Sequence, residues 1–294
     1  MNLRKRYPLK NWRPFFDIGL CYLIIALAIY GSLRFPVMYL LSIFIIANRI
    51  LALSLICHEG LHGNLFLHPK LNNFVGRWLC AFPTFISFSK YRKLHLLHHR
   101  TLGHEVADPD KHLYDQFPMS LGRYLWHEFI NLITLKTCYK FIIYYTEFPE
   151  ILNSKDTWRN RIKKIRVSGD FVEFFIFYIA LVALLIYLGV FKYFVIFINV
   201  PLFFIVQPYV LLMGGLQHGP IQKDESLLLK SRSIRGPKWL MEILLPLDIN
   251  YHAEHHYNSN IPHYWLKDYS KELEEKGEKI WNENYSQAVN NLFT

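Results

Sequence analysis

Four long apolar stretches, set out as two close pairs, restrict the folds open to this chain more than any other feature. Residues 15–33 (FFDIGLCYLIIALAIYGSL) and 36–57 (PVMYLLSIFIIANRILALSLIC) are divided only by Arg34 and Phe35, and residues 171–188 and 191–213 only by Gly189 and Val190. Each approaches the roughly 20 residues that an α-helix needs to cross a hydrocarbon core about 30 Å thick. A composition of 52% hydrophobic and 17% aromatic residues, high for a soluble protein, points the same way. The pattern predicts an all-α integral membrane protein, with about four transmembrane helices in two hairpins, built as a single domain over residues 1–294. A secretory leader has a shorter apolar core ending in small residues, so the first run reads as a retained anchor.

The formal charge of +10 raises the question of nucleic acid, but the cations sit where membrane topology wants them. Arg4, Lys5, Arg6, Lys10 and Arg13 precede the first run, and Lys155, Arg159, Arg161, Lys163, Lys164 and Arg166 precede the third. By the positive-inside rule both groups are cytoplasmic, and the turns holding Arg34 and Lys192 face the other side. The amino end, residues 58–170 and residues 214–294 then share the cytoplasm, and no nucleic-acid partner is needed to explain the charge. The basic stretch 155–166 could also attract anionic lipid or an acidic electron carrier; topology explains it more economically. Cys21, Cys57, Cys80 and Cys138 show no C-x-x-C spacing and read as reduced packing residues.

The histidines avoid the interiors of the apolar runs. His58 and His62 come where the second run ends ("HEGLH"), His95, His98 and His99 stand in "HLLHH", His218 follows the fourth run, and His252, His255 and His256 form "HAEHH". All fall on the expected cytoplasmic side, in a helical cap where one site could collect them. On a helix, residues i, i+3 and i+4 are neighbours, so each triplet is expected to put three imidazoles on one face. "HEGLH" alone matches a metalloprotease zinc pair with Glu59 as base, but that reading leaves the other motifs idle. Nine imidazoles are too many for one tetrahedral zinc and suit two metals of higher coordination; iron accepts such ligands. A metal transporter or sensor would place its ligands within the spans instead. His68, His112, His127 and His263 are read as solvated or hydrogen-bonded side chains, and His104 as a residue outside direct ligation with an outer-shell role open.

Hairpin, "HEGLH", "HLLHH", second hairpin and "HAEHH", in that order, resemble the membrane-bound fatty acid desaturase family, the histidine-box proteins that use a nonhaem di-iron centre. The resemblance covers most of the chain, including a proline after the last box in "NSNIPHYWL". It implies that His58, His62, His95, His98, His99, His252, His255 and His256 bind two iron ions, with His218 as the additional histidine after the last span, and that O2 is a co-substrate. In the acyl-coenzyme A branch an asparagine accompanies that histidine; here Gly214 stands four residues before His218, and Gln217 is the available polar substitute.

Such a centre can take hydrogen from an unactivated carbon, so the expected substrate is a lipid acyl chain and the expected reaction acyl-lipid desaturation. Hydroxylation or ketolation of a lipid or carotenoid is the alternative on the same scaffold. No haem or iron–sulfur segment is visible, so the electron donor is expected to be a separate protein of the ferredoxin or cytochrome b5 type. Glu59, Glu254, Asp108 and Asp110 are candidates either to orient ligand histidines or to cap helices and turns. The segment around Trp126, Phe129, Tyr139 and Phe141 reads as an interfacial amphipathic helix rather than a substrate lining. Asn48 and Arg49, polar within a span, are functional candidates or partners in an interhelical hydrogen bond.

Overall fold

The structure is a computed structural model that describes residues 3–146, 170–220 and 226–293; the basic stretch at 155–166 lies outside the described residues. A single turn α1 (Leu3–Arg6) leads into α2 (Arg13–Arg34), which carries Pro14 in its first turn, where an N–H has no helical partner to lose. A 3-10 turn at Pro36–Met38 reverses the chain into α3 (Tyr39–Leu61). The two long helices pack against each other, and Ile18, Cys21 and Ile25 of α2 join Ile46, Ile50 and Leu53 of α3 in one buried apolar cluster. Short α4 (Pro69–Val75) and a π-helical stretch Gly76–Ala81 return the chain to α5 (Phe88–Thr101), whose first turn is capped by Ser87 Oγ accepting from Lys90 N.

Helices α6 (Leu121–Ile133) and α7 (Lys136–Tyr145) follow, then α8 (Phe171–Tyr187) and α9 (Phe191–His218). Within α9 two π-helical stretches, Val195–Asn199 and Leu202–Val206, flank Pro201, which has no N–H to give an α-helical ladder. The C-terminal part holds α10 (Leu227–Lys230), β1 (Ser233–Arg235), α11 (Lys238–Leu244), α12 (His252–Tyr257), α13 (His263–Glu275), β2 (Asn282–Asn284) and α14 (Tyr285–Leu292).

The chain is mostly helical, as expected, and beside the helices β1 and β2 form one short parallel pair in register Ser233 with Asn282. Among the described residues three helices are long and apolar enough to cross a membrane: Arg13–Arg34, Pro36–Leu61 and Phe191–His218. The run at 171–188 forms a shorter apolar helix of 17 residues, Phe171–Tyr187, about 25 Å long at 1.5 Å per residue. The second and fourth runs also extend further than their apolar sequence, to Leu61 and His218, because helical hydrogen bonding continues through the histidine motifs.

Asn48 and Arg49 resolve in favour of an interhelical staple. Asn48 Nδ2 donates to the Ile243 carbonyl (2.8 Å), and Arg49 Nη2 lies 3.3 Å from Glu242 Oε1, tying α11 to the side of α3. The four cysteines are free thiols, three of them buried.

Candidate metal centre

Helix α3 delivers His58 from its last turn and His62 from its C-cap; α5 delivers His95, His98 and His99; α9 ends on His218; α12 delivers His252, His255 and His256. All nine meet at one place. They do so as two groups, and the triplets are not spent on single faces. His58, His62, His95, His99 and His255 bring one nitrogen each within 4.8 Å of one another, and His98, His218 and His256 do the same. His252 joins the second group, its Nε2 2.9 Å from His218 Nε2 and 3.1 Å from His256 Nε2.

Helix geometry explains the split. At about 100° per residue, i and i+4 diverge by only about 40°, while i+3 lies about 60° to the other side of i. His95 and His99 therefore serve the first group and His98 the second; His252 and His256 serve the second and His255 the first. Each triplet gives two rings to one group and one to the other.

The spacing fits metal coordination. His62 and His95 Nε2 are 2.9 Å apart, His95 and His99 Nε2 2.9 Å, and His99 and His255 Nε2 3.2 Å. Two imidazole nitrogens bound at about 2.1 Å and a right angle to one ion stand roughly 3.0 Å from each other. Burial, reinforced by neighbouring rings, pushes His95, His252, His255 and His256 well below the ordinary histidine range, and His99 down to about 2, so these rings are neutral and their nitrogens could bind a cation.

Asp108 is the carboxylate that orients a ring. Its Oδ1 takes His98 Nδ1–H (2.8 Å) and the Asp110 N–H (3.0 Å); its Oδ2 takes the Gly103 N–H (3.0 Å) and the Tyr114 hydroxyl (2.5 Å). This keeps the His98 proton on Nδ1 and turns Nε2 toward the second group. Burial works against the carboxylate, yet the hydrogen bond and charge of His98 hold Asp108 down at about 2. Burial likewise opposes charge on His98, but Asp110 and Asp108 outweigh it and leave that ring above the ordinary range.

The other candidate residues act elsewhere. Glu59 Oε2 accepts the His263 N–H at the start of α13 (3.0 Å), and Oε1 is 3.9 Å from His58 Nδ1, too far for a hydrogen bond. Glu254 is taken up by Ser233, Ser270 (2.5 Å) and Arg235 (2.9 Å). His104 is exposed and accepts the Val106 and Ala107 N–H groups, so it shapes the loop that carries Asp108. His263 pairs with Asp17 (3.2 Å), His68 caps α4, and His112 and His127 bond locally.

Gly214 cannot be replaced by a larger residue without movement, because a Cβ there would stand 2.7 Å from Leu113 Cβ. Gln217 Nε2 donates to the Ile249 carbonyl (3.2 Å), a packing role for the expected asparagine substitute.

Three cavities share part of their lining, and one of them touches histidines of both groups. One of about 530 Å³ lies between α6, α7 and α9, lined by His127, Glu128, Asn131, Tyr139, Phe141 and Gln207 among others. A narrower one of about 80 Å³ touches His58, His95, His98, His218 and His252. A third of about 50 Å³, walled by Ile50, Leu51, Leu202 and Val206, lies deeper. Tyr145 and Val210 line all three. The aromatic segment thus divides: Trp126 and Phe129 are exposed, while Phe141 is buried against the cavities. Sequence reasoning missed Tyr114, Leu113, Tyr145 and Val210, which carry no signal until the fold brings them beside the histidines.

A family model described as Fatty acid desaturase matches residues 34–284, most of the chain and every histidine of both groups. The chain belongs to the fatty acid desaturase family. No curated protein matches it. Membership together with three long apolar helices makes this desaturase-family chain a membrane protein, and it implies an oxidoreductase of the desaturase/hydroxylase type that uses iron and acts on lipid. The two histidine groups are where metal could be held.

Proposed function

We propose that the chain is an O2-dependent acyl-lipid desaturase in which nine histidines hold two irons. His58, His62, His95, His99 and His255 bind one; His98, His218, His252 and His256 bind the other. The observation that carries this reading is the cavity of about 80 Å³ lined both by histidines of the two groups, His58, His95, His98, His218 and His252, and by Leu55, Leu113, Val210 and Met213.

When bound, the irons activate O2 to an oxidant able to take hydrogen from an unactivated C–H bond. The protein's own part is positioning. The wide cavity admits an acyl chain, Tyr145 and Val210 turn it, the narrow part presents a few methylenes to the histidine groups, and the deep cavity receives the chain end. Apolar walls keep water from the reacting carbons. Asp108 holds the His98 proton on Nδ1, leaving Nε2 as ligand atom. A narrow, largely apolar passage suits an unbranched acyl chain better than a ring-ended carotenoid.

As one domain over residues 1–294, α2 and α3 form one membrane hairpin, α8 and α9 the second, with α8 reaching the far side through the turn after it. Both termini and the histidine groups are cytoplasmic, forming a helical cap, and electrons come from a separate carrier protein. Expression in a host of known lipid content, followed by mass spectrometry of fatty acids and carotenoids, tests the reaction. A fatty acid lacking two hydrogens is expected; an added oxygen instead assigns hydroxylation or ketolation.

A further inference from the structure

Within the first histidine group, His62 and His99 are half-buried while His58, His95 and His255 are buried; the second group is buried throughout. The centre therefore reaches the surface at one edge, through two rings. Basic residues surround that edge. Arg4 Nη2 lies 2.8 Å from Asn64 Oδ1 and 3.4 Å from the Gly63 carbonyl, immediately after His62, which places α1, with Arg4, Lys5 and Arg6, against this loop.

On α5, Arg92 lies two turns before His99 on the same stripe, and Lys93 and Arg100 form the adjacent stripe, both exposed. Neither α1 nor α5 contains an acidic residue. Glu272 is shared between Arg6 (3.0 Å) and Lys276 (2.5 Å). Leu97 is 39% exposed on the outer side of α5, an apolar point beside the cations.

We propose that this edge is the docking surface for an acidic one-electron carrier protein, and that electrons enter the first iron site through His62 and His99. The inference rests on the di-iron reading above. Electron transfer weakens steeply with distance, so the only half-exposed ligand rings among the described residues form the shortest route from surface to metal. Opposite charge raises association rates by about 10- to 1,000-fold at low salt and suits transient contact. Each encounter oxidises one carrier by one electron and reduces one ferric ion to ferrous. Two encounters supply two electrons which, with two protons from water and two hydrogens from the acyl chain, take one O2 to two waters.

The test uses the full-length, iron-loaded protein in lipid nanodiscs and a soluble, acidic [2Fe–2S] ferredoxin as probe. Binding of the oxidised probe is measured by surface plasmon resonance, and oxidation of the reduced probe by stopped flow, for the native chain and for the double variant Lys93→Glu/Arg100→Glu. Reduction of the irons by dithionite, followed spectroscopically on each protein, is the reference.

The variant is expected to bind the probe at least tenfold more weakly, and to oxidise it at least tenfold more slowly relative to its dithionite reduction. Raising the salt to about 0.5 M should remove the difference. Dithionite reduction with no charge or salt dependence of probe binding overturns the docking surface alone. Failure to bind two irons, or to reduce them with dithionite, overturns the di-iron reading and the proposal with it. If the variant instead loses affinity for phosphatidylglycerol vesicles while probe kinetics are unchanged, the patch is a membrane contact and the proposal falls.

Discussion

On the proposed two-iron reading, replacing Asp108 by asparagine keeps the shape of the side chain and should selectively weaken metal binding at the second histidine group. The carboxylate accepts four donors: His98 Nδ1 and Asp110 N on one oxygen, Gly103 N and the Tyr114 hydroxyl on the other. An asparagine has one acceptor oxygen, so one side must meet the NH2 group. If the oxygen faces His98, the Gly103 N–H and the hydroxyl of buried Tyr114 lose their acceptor, at a cost of about 1–3 kcal/mol. If it faces Gly103, the NH2 group meets the His98 Nδ1–H; relief comes from moving that proton to Nε2, which then cannot bind metal.

Either choice weakens the site. Losing an outer partner of a ligating histidine typically lowers metal affinity 10- to 100-fold, or about 1.4–2.8 kcal/mol. The assay is iron content by mass spectrometry together with Mössbauer and EPR spectra. Iron should fall from two toward one per chain under limiting iron, and the coupled pair should give way to the EPR signal of an isolated ferric ion. Two irons retained at native affinity would refute both the tautomer argument and the assignment of His98 to the second group.

Three further outcomes follow from the same geometry. His255→Ala should remove iron from the first group and abolish turnover, whereas His68→Ala, which deletes only the exposed cap of α4, should keep both irons and cost at most about 1 kcal/mol in a thermal melt. Gly214→Asn should lower stability by about 1–3 kcal/mol because its Cβ overlaps that of Leu113, and Gly214→Ala, which adds the same Cβ and nothing more, should already show much of the loss, read by the melting temperature. In the metal-free protein the raised pKa of His98 makes its protonated, Asp-paired form a stabilising one at low pH that fades as pH rises through that pKa. Proton competition at this ring therefore ends on the alkaline side, and iron titrations at stepped pH should show the second site loading better as pH increases, with the first site, whose His95, His99 and His255 are pushed low, far less dependent.

Much of the centre was legible along the chain because its signals are local. Apolar runs of near-bilayer length mark α2, α3 and α9, and histidines three and four residues apart mark ring clusters whatever the surroundings. Those two patterns marked eight of the nine rings that the fold brings together, and His218, which has no histidine three or four residues away, came from its place after the fourth run and from the family resemblance. The third run, read as 171–188, likewise forms the helix Phe171–Tyr187.

The tertiary structure decided what each residue faces. A triplet such as "HLLHH" specifies its own angular spread, but which ring meets which group depends on how α3, α5, α9 and α12 cross, and those helices are far apart in sequence. The same dependence separates Asp108, aimed at His98, from Glu59 and Glu254, which stand as close to histidines in sequence yet turn to Glu59's partner His263 and to Ser233, Ser270 and Arg235. It also explains Gly214, which has no helical reason to be glycine until Leu113 packs on it. Periodicity is set by backbone geometry over a few residues and can be read from letters; side-chain partners are set by packing between distant segments and cannot.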